Sequence, residues 1–122
     1  MLDGTMTAVP RQRFGVADVR DVADAHIRAM TTPAAAGQRF LVLADGPTIS
    51  WLILAQILRD RLGPLAGRVP TVEAPGSEPP DLVIHNERAK RGLGWQPRAA
   101  VTTIAETAES LRDLGLLAAT AG

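Results

Sequence analysis

Apolar residues recur at helical spacing over four stretches of this chain and run without a break over a fifth. From Asp21 to about Met30, Val22, Ala25, His26, Ala29 and Met30 fall on one face of a 3.6-residue helix. Asp21 stands where a carboxylate accepts from the open amides of a first turn, and Thr31-Thr32-Pro33 stops the helix. Ser50 is placed to cap a second helix, Trp51 to Leu62, closed by Gly63-Pro64. Its inner stripe is Trp51, Leu54, Ala55, Leu58 and Leu62. Leu52, Ile53 and Ile57 widen that stripe until little polar face is left, which predicts a helix covered on two sides or an exposed contact patch.

The third helix is short, Glu87 to Leu93 behind an Asn86 cap, with Ala89 and Leu93 inward. Gly94 is its left-handed terminator and Trp95 the apolar residue that folds back after it. Thr103 and Glu106 have capping-box spacing. The helix they open has Ile104, Ala108, Leu111 and Leu114 on its inner face, with Gly115 at its end and a frayed tail over 118–122.

The unbroken run is Gln38–Ala44, stopped by Asp45-Gly46-Pro47. Continuous apolar residues without alternation predict a strand covered on both faces, as in a parallel sheet. A second long apolar strand to pair with it is not visible. Val16–Val19 and Val69–Glu73 read as short extended pieces, 1–15 as an opening loop, and Ala74–Pro80 as a proline-rich loop.

Composition narrows the chemistry. Among 122 residues there are thirteen basic and thirteen acidic ones, so the net charge is zero. That leaves no electrostatic footprint for nucleic acid or an anionic membrane surface. The absence of cysteine excludes disulfides and thiolate metal sites, and the absence of tyrosine excludes tyrosine acid/base chemistry. The N-terminus has no basic and apolar signal-peptide pattern. The longest apolar run is far below the roughly 18–20 residues of a spanning helix, so a cytoplasmic protein is expected, with no membrane or nucleic-acid partner.

Asp18, Asp21 and Asp24, with His26 nearby, form a carboxylate cluster. Arg20 between the acids points to ion pairing and capping rather than metal ligation. His26 reads as a satisfied histidine of the core or an interface, because no serine or carboxylate is placed to orient it. His85 precedes a helix cap and reads as a surface residue. No glycine-rich loop follows a strand and opens a helix; Gly92-Leu93-Gly94 ends one instead. No catalytic, cofactor-binding or metal-binding residue is expected on this chain.

Taken in order, these pieces resemble the C-terminal third of the extended short-chain dehydrogenase/reductases. Within the epimerase/dehydratase group, the resemblance is to the dihydroflavonol-reductase-like aldehyde and ketone reductases. It is carried by Asp18-Val19-Arg20-Asp21-Val22-Ala23-Asp24-Ala25-His26 and by Gly37-Gln38-Arg39-Phe40. Further along, Ser50-Trp51, Asn86 with Ala89-Lys90-Arg91, Leu93-Gly94-Trp95 and Leu114-Gly115-Leu116 continue it. Departures are His85 where an aspartate is usual, Gly92 in place of a polar helix former, and apolar Leu52 and Ile53.

The resemblance implies an α/β fold, an incomplete substrate-domain portion of an extended Rossmann-type reductase. It would be mostly helical with a few short strands, with the substrate-binding region over 16–117. It places the family's glycine-rich loop and its Ser/Thr, Tyr and Lys trio upstream, so NAD(P) would belong to the parent enzyme and not to this chain. Arg13 and Phe14, beside the family's substrate lip, are the implied substrate contacts. A Rossmann-domain partner chain or a homo-oligomer would complete the apolar strand, and the isolated chain is expected to be marginal or to pair. Two other readings stay open: a non-enzymatic remnant or self-associating module, and a fragment of a sugar-nucleotide epimerase/dehydratase.

Overall fold

The computed structural model describes residues 1–117; the expected frayed tail over 118–122 lies outside them. Four α-helices carry most of the regular structure: α1 Val19–Thr31, α2 Trp51–Leu62, α3 Glu87–Leu93 and α4 Ala100–Asp113. Two short strands, β1 Arg13–Phe14 and β2 Ile49–Ser50, and two single-turn 3-10 helices, Pro33–Ala35 and Gly63–Ala66, complete it. The chain divides into two compact units. One holds Met1–Phe14, Ile49–Asp81 and 104–117; the other holds Gly15–Thr48 and Leu82–Thr103.

In the first unit β1 and β2 are antiparallel, with Arg13 opposite Ser50 and Phe14 opposite Ile49. The opening stretch is therefore more than a loop. Val9, fully buried, is also bridged in parallel to Glu73. Its amide donates to the Val72 carbonyl at 2.9 Å and its carbonyl accepts from Ala74 at 2.8 Å. The strand expected over Val69–Glu73 is reduced to this single bridge. Helix α2 starts as its sequence dictates, with the Ser50 hydroxyl accepting from the Ile53 amide. It stops at Gly63, whose φ of 51° is one a side chain resists. Ala55, Leu58 and Leu62 are buried, while Ile53 stays exposed.

In the second unit a small core gathers Ala25 of α1, Ala89 and Leu93 of α3, and Trp95, with Phe40 and Val42 against them. Gly94, at φ 61°, turns the chain in the left-handed conformation that ends α3. Trp95 then folds back with no solvent exposure, its indole nitrogen donating to the Asp21 carbonyl at 2.8 Å. This is the arrangement that Gly94-Trp95 predicts.

Several expectations are corrected. The cap of α1 lies three residues before the expected one: Asp18, not Asp21, is the N-cap and accepts from the Arg20 amide at 2.9 Å. Both aspartates have a good capping side chain, and tertiary partners for Asp21 decide between them. His26 is exposed, not on the buried face, and its Nδ1 lies 2.7 Å from the Val22 carbonyl one turn back. Met30 is exposed as well.

Helix α4 likewise begins at Ala100, so Thr103 lies inside its first turns rather than at a cap. Leu114 lies beyond that helix and is exposed. Gln38–Ala44 is extended but belongs to no strand. Phe40 and Val42 turn to the core while Leu41 is 59% exposed, so only one face is covered. Of the main chain from Arg39 to Leu43, only the Leu43 carbonyl is engaged among the described residues, by Asn86. Ala44 donates to the Val16 carbonyl at 2.7 Å, but among the described residues no strand pairs with Arg39–Leu43.

Candidate functional site

Arg13 and Phe14 form β1, held by pairing with Ile49 and Ser50. The Arg13 guanidinium lies 3.8 Å from Asp81. The Phe14 ring meets the Trp51 ring at 5.3 Å between centroids, tilted by 56°, within the range for favourable aromatic pairs. These two candidate substrate contacts are thus both half-buried and each already has a neighbour from its own unit.

The three aspartates do not converge on a shared point; each is engaged by its own arginine. Asp18 is buried and takes the Arg20 guanidinium through both oxygens, at 2.9 and 2.7 Å, while the Thr103 hydroxyl donates to it at 3.0 Å. The hydrogen bonds from Arg20 hold its carboxyl far below the usual range, against the opposing effect of burial. Asp21, also buried, accepts from the Arg98 amide at 2.7 Å and from the Arg98 guanidinium. Asp24 pairs with Arg28 one turn on at 2.7 Å. Arg28 also donates to the carbonyl of Gly94 at 2.7 Å. Ion pairing and capping account for the whole cluster. Among the described residues no group of three or more His, Asp or Glu is placed to hold a metal.

Asn86 occupies the expected cap position but uses its side chain elsewhere. Its Nδ2 donates to the Leu43 carbonyl at 2.9 Å and to Asp45 at 2.8 Å. Lys90 reaches the same Asp45 carboxylate at 2.6 Å, and with Asn86 it lowers that group's pKa. The one lysine of the chain thus ties α3 to the turn after the Phe40–Ala44 segment. Sequence reasoning missed this contact, although Asp45 and Lys90 are both visible in it; no spacing rule links residues so far apart.

A pyrophosphate at a helix start needs free main-chain amides and an absence of negative charge. At α1 the Arg20 amide donates to the Asp18 carboxylate, and at α2 the Ile53 amide donates to the Ser50 hydroxyl. Gly63 and Gly94 have positive φ but end helices rather than open them.

The fold is that of part of an extended Rossmann-type reductase. Gre2 from Candida albicans superposes with a TM-score of 0.74 at 25% identity, over 93% of this chain and 35% of that one. No protein-family model matches. Among curated proteins, ketoreductase azaE of Aspergillus niger is 31% identical over 111 residues, 90% of this chain and 31% of its own length. UDP-glucose 4-epimerase of Mycolicibacterium smegmatis is 36% identical over 102 residues, 78% of this chain and 30% of its own. The chain belongs to the extended short-chain dehydrogenase/reductase family and spans about a third of the length of the relatives it matches. The parent families use NAD(P).

Proposed function

We propose that this chain is the C-terminal, substrate-side segment of an NAD(P)-dependent oxidoreductase acting on a carbonyl or alcohol group, and that it is not catalytic alone. The observation that carries the reading is the alignment to a ketoreductase along 90% of the chain. The second unit supports it physically. Helix α1 buries Ala25 on one side, yet Val19, Ile27 and Met30 lie on the opposite side, 62–84% exposed. An apolar stripe of that kind marks a contact surface. With the unpaired main chain of Arg39–Val42, it is the surface a nucleotide-binding portion would cover. Arg13 and Phe14 are the proposed substrate contacts, the setting is the cytoplasm, and NAD(P) is held elsewhere than on these residues.

A graft tests this. The matching third of ketoreductase azaE is replaced by this chain, and NADPH oxidation is followed with and without ketone. A folded chimera is expected to reduce ketones; one that folds and binds NADPH but reduces none would refute the reading. A second reading, a piece of a sugar-nucleotide epimerase, is favoured by the 36% identity to UDP-glucose 4-epimerase. The same graft into that enzyme, assayed for interconversion of UDP-hexoses, separates the two.

A further inference from the structure

Arginine supplies nearly all the positive charge of this chain, since Lys90 is its only lysine. Most of these arginines are committed to a carboxylate or to a main-chain carbonyl, as Arg98 is to Asp21 and Arg59 to the Pro70 carbonyl. Among the described residues, the side chains of Arg39, Arg61, Arg88 and Arg91 make no hydrogen bond or ion pair. Three of these four line one groove in the second unit, of about 410 Å³, together with Leu41, His85 and Glu87.

Such a concentration is not neutral for stability. Arg88 and Arg91 lie three residues apart on α3, where like charges on one helix face repel. Arg39 comes from the extended segment and adds a third guanidinium. The one acid of the groove, Glu87, lies 3.6 Å from His85 rather than against an arginine. The positive charge therefore awaits an outside partner, and a guanidinium fork matches carboxylates geometrically.

We propose that this groove docks an acidic, extended peptide segment carrying an apolar residue that seats on Leu41. The groove is several times the size of a single phosphate, and it is open rather than enclosed. It spreads its charge over two elements around a leucine that is 59% exposed. A run of carboxylates flanking an apolar side chain complements all of these features. A small phosphate would meet only part of them, and the start of α3 that borders the groove carries the Glu87 carboxylate in its first turn. The groove shares Arg39 and Leu41 with the segment that a nucleotide-binding portion would cover, so the docking is proposed for the chain without that portion, and the test uses the chain in that form.

The test is fluorescence anisotropy on the full chain with a fluorescein-labelled peptide of alternating glutamate and leucine. Saturable binding is expected. Arg88→Glu and Arg91→Glu should each weaken it about tenfold, and added salt should weaken it further. Leu41→Ser should weaken it too, whereas Arg61→Glu, at the unpaired arginine outside the groove, should leave it unchanged. Circular dichroism checks that each variant folds, and Arg88→Gln serves where the charge reversal does not. Absence of saturable binding, or equal weakening by Arg61→Glu, would overturn the proposal. So would displacement of the peptide by an equal concentration of inorganic phosphate, which would assign the groove to small anions.

Discussion

Asp21 is the residue on which the second unit turns. Its carbonyl accepts from Trp95 and its carboxylate takes both the amide and the guanidinium of Arg98, so one position holds the chain that follows α3. Asp21→Ala keeps the Trp95 bond, which uses main chain, but strands the Arg98 amide. Urea unfolding followed by tryptophan emission should show a loss of about 2 kcal/mol; a change within error would mean that Arg98 is held by other contacts. Asp18 carries a pH dependence. Its folded pKa lies below the unfolded value, so its contribution is fully present above the unfolded aspartate pKa of about 4. It is lost as pH falls through the folded value. Asp18→Asn should therefore lower the melting temperature at neutral pH and flatten its decline toward acid, in a comparison of melting temperature against pH for the two proteins. An unchanged acid slope would remove Asp18 from the account.

At the scale of elements, Gly92 shows what a helix sequence conceals. Glycine inside α3 costs up to about 1 kcal/mol against alanine by helix propensity, and from the sequence it reads as a defect. In the fold, a Cβ at position 92 would stand 3.0 Å from the Phe40 ring. The glycine is what lets α3 approach the extended segment. Gly92→Ala should thus fail to stabilise the wild type, yet recover a stabilising effect in a Phe40→Leu background. A double-mutant cycle by urea unfolding checks this, and strict additivity would dismiss the crowding argument.

The same scale shows which elements are legible in the sequence. Helix α2 follows from Ser50, its apolar stripe and Gly63. Helix α3 with its turn follows from Asn86, Gly94 and Trp95. Helices α1 and α4 are legible in existence but not in their starts, because capping residues three apart, or a threonine one turn inside, offer equal local chemistry. Long-range partners make the choice: Arg98 for Asp21, and Asp18 for Thr103. The Gln38–Ala44 strand misled for a related reason. Its apolar run encodes neighbours, and the described residues do not contain them. Of the site, the ion pairing of Asp18 and Asp24 is readable from Arg20 and Arg28 close by, whereas Asp21 takes its arginine from 77 residues away. The Arg39, Arg88 and Arg91 groove was not, since it joins residues about fifty positions apart.

For the molecule as a whole, the uncovered apolar residues and the missing chemistry belong together. Among the described residues no helix is long and apolar enough to cross a membrane, while Val19, Ile27, Met30 and Leu41 are exposed. The full sequence holds no tyrosine, and the starts of α1 and α2 are already capped by Asp18 and Ser50. The chain spans about a third of a reductase's length, and its contact surface and capped helix starts are what the proposed substrate-side role requires. The most direct measurement is calorimetric titration of NADPH into the isolated, folded chain. The account predicts no saturable heat at any concentration up to about 1 mM, where binding would be worth only about 4 kcal/mol. Saturation at micromolar cofactor would contradict it, because the chain would then carry a dinucleotide site of its own.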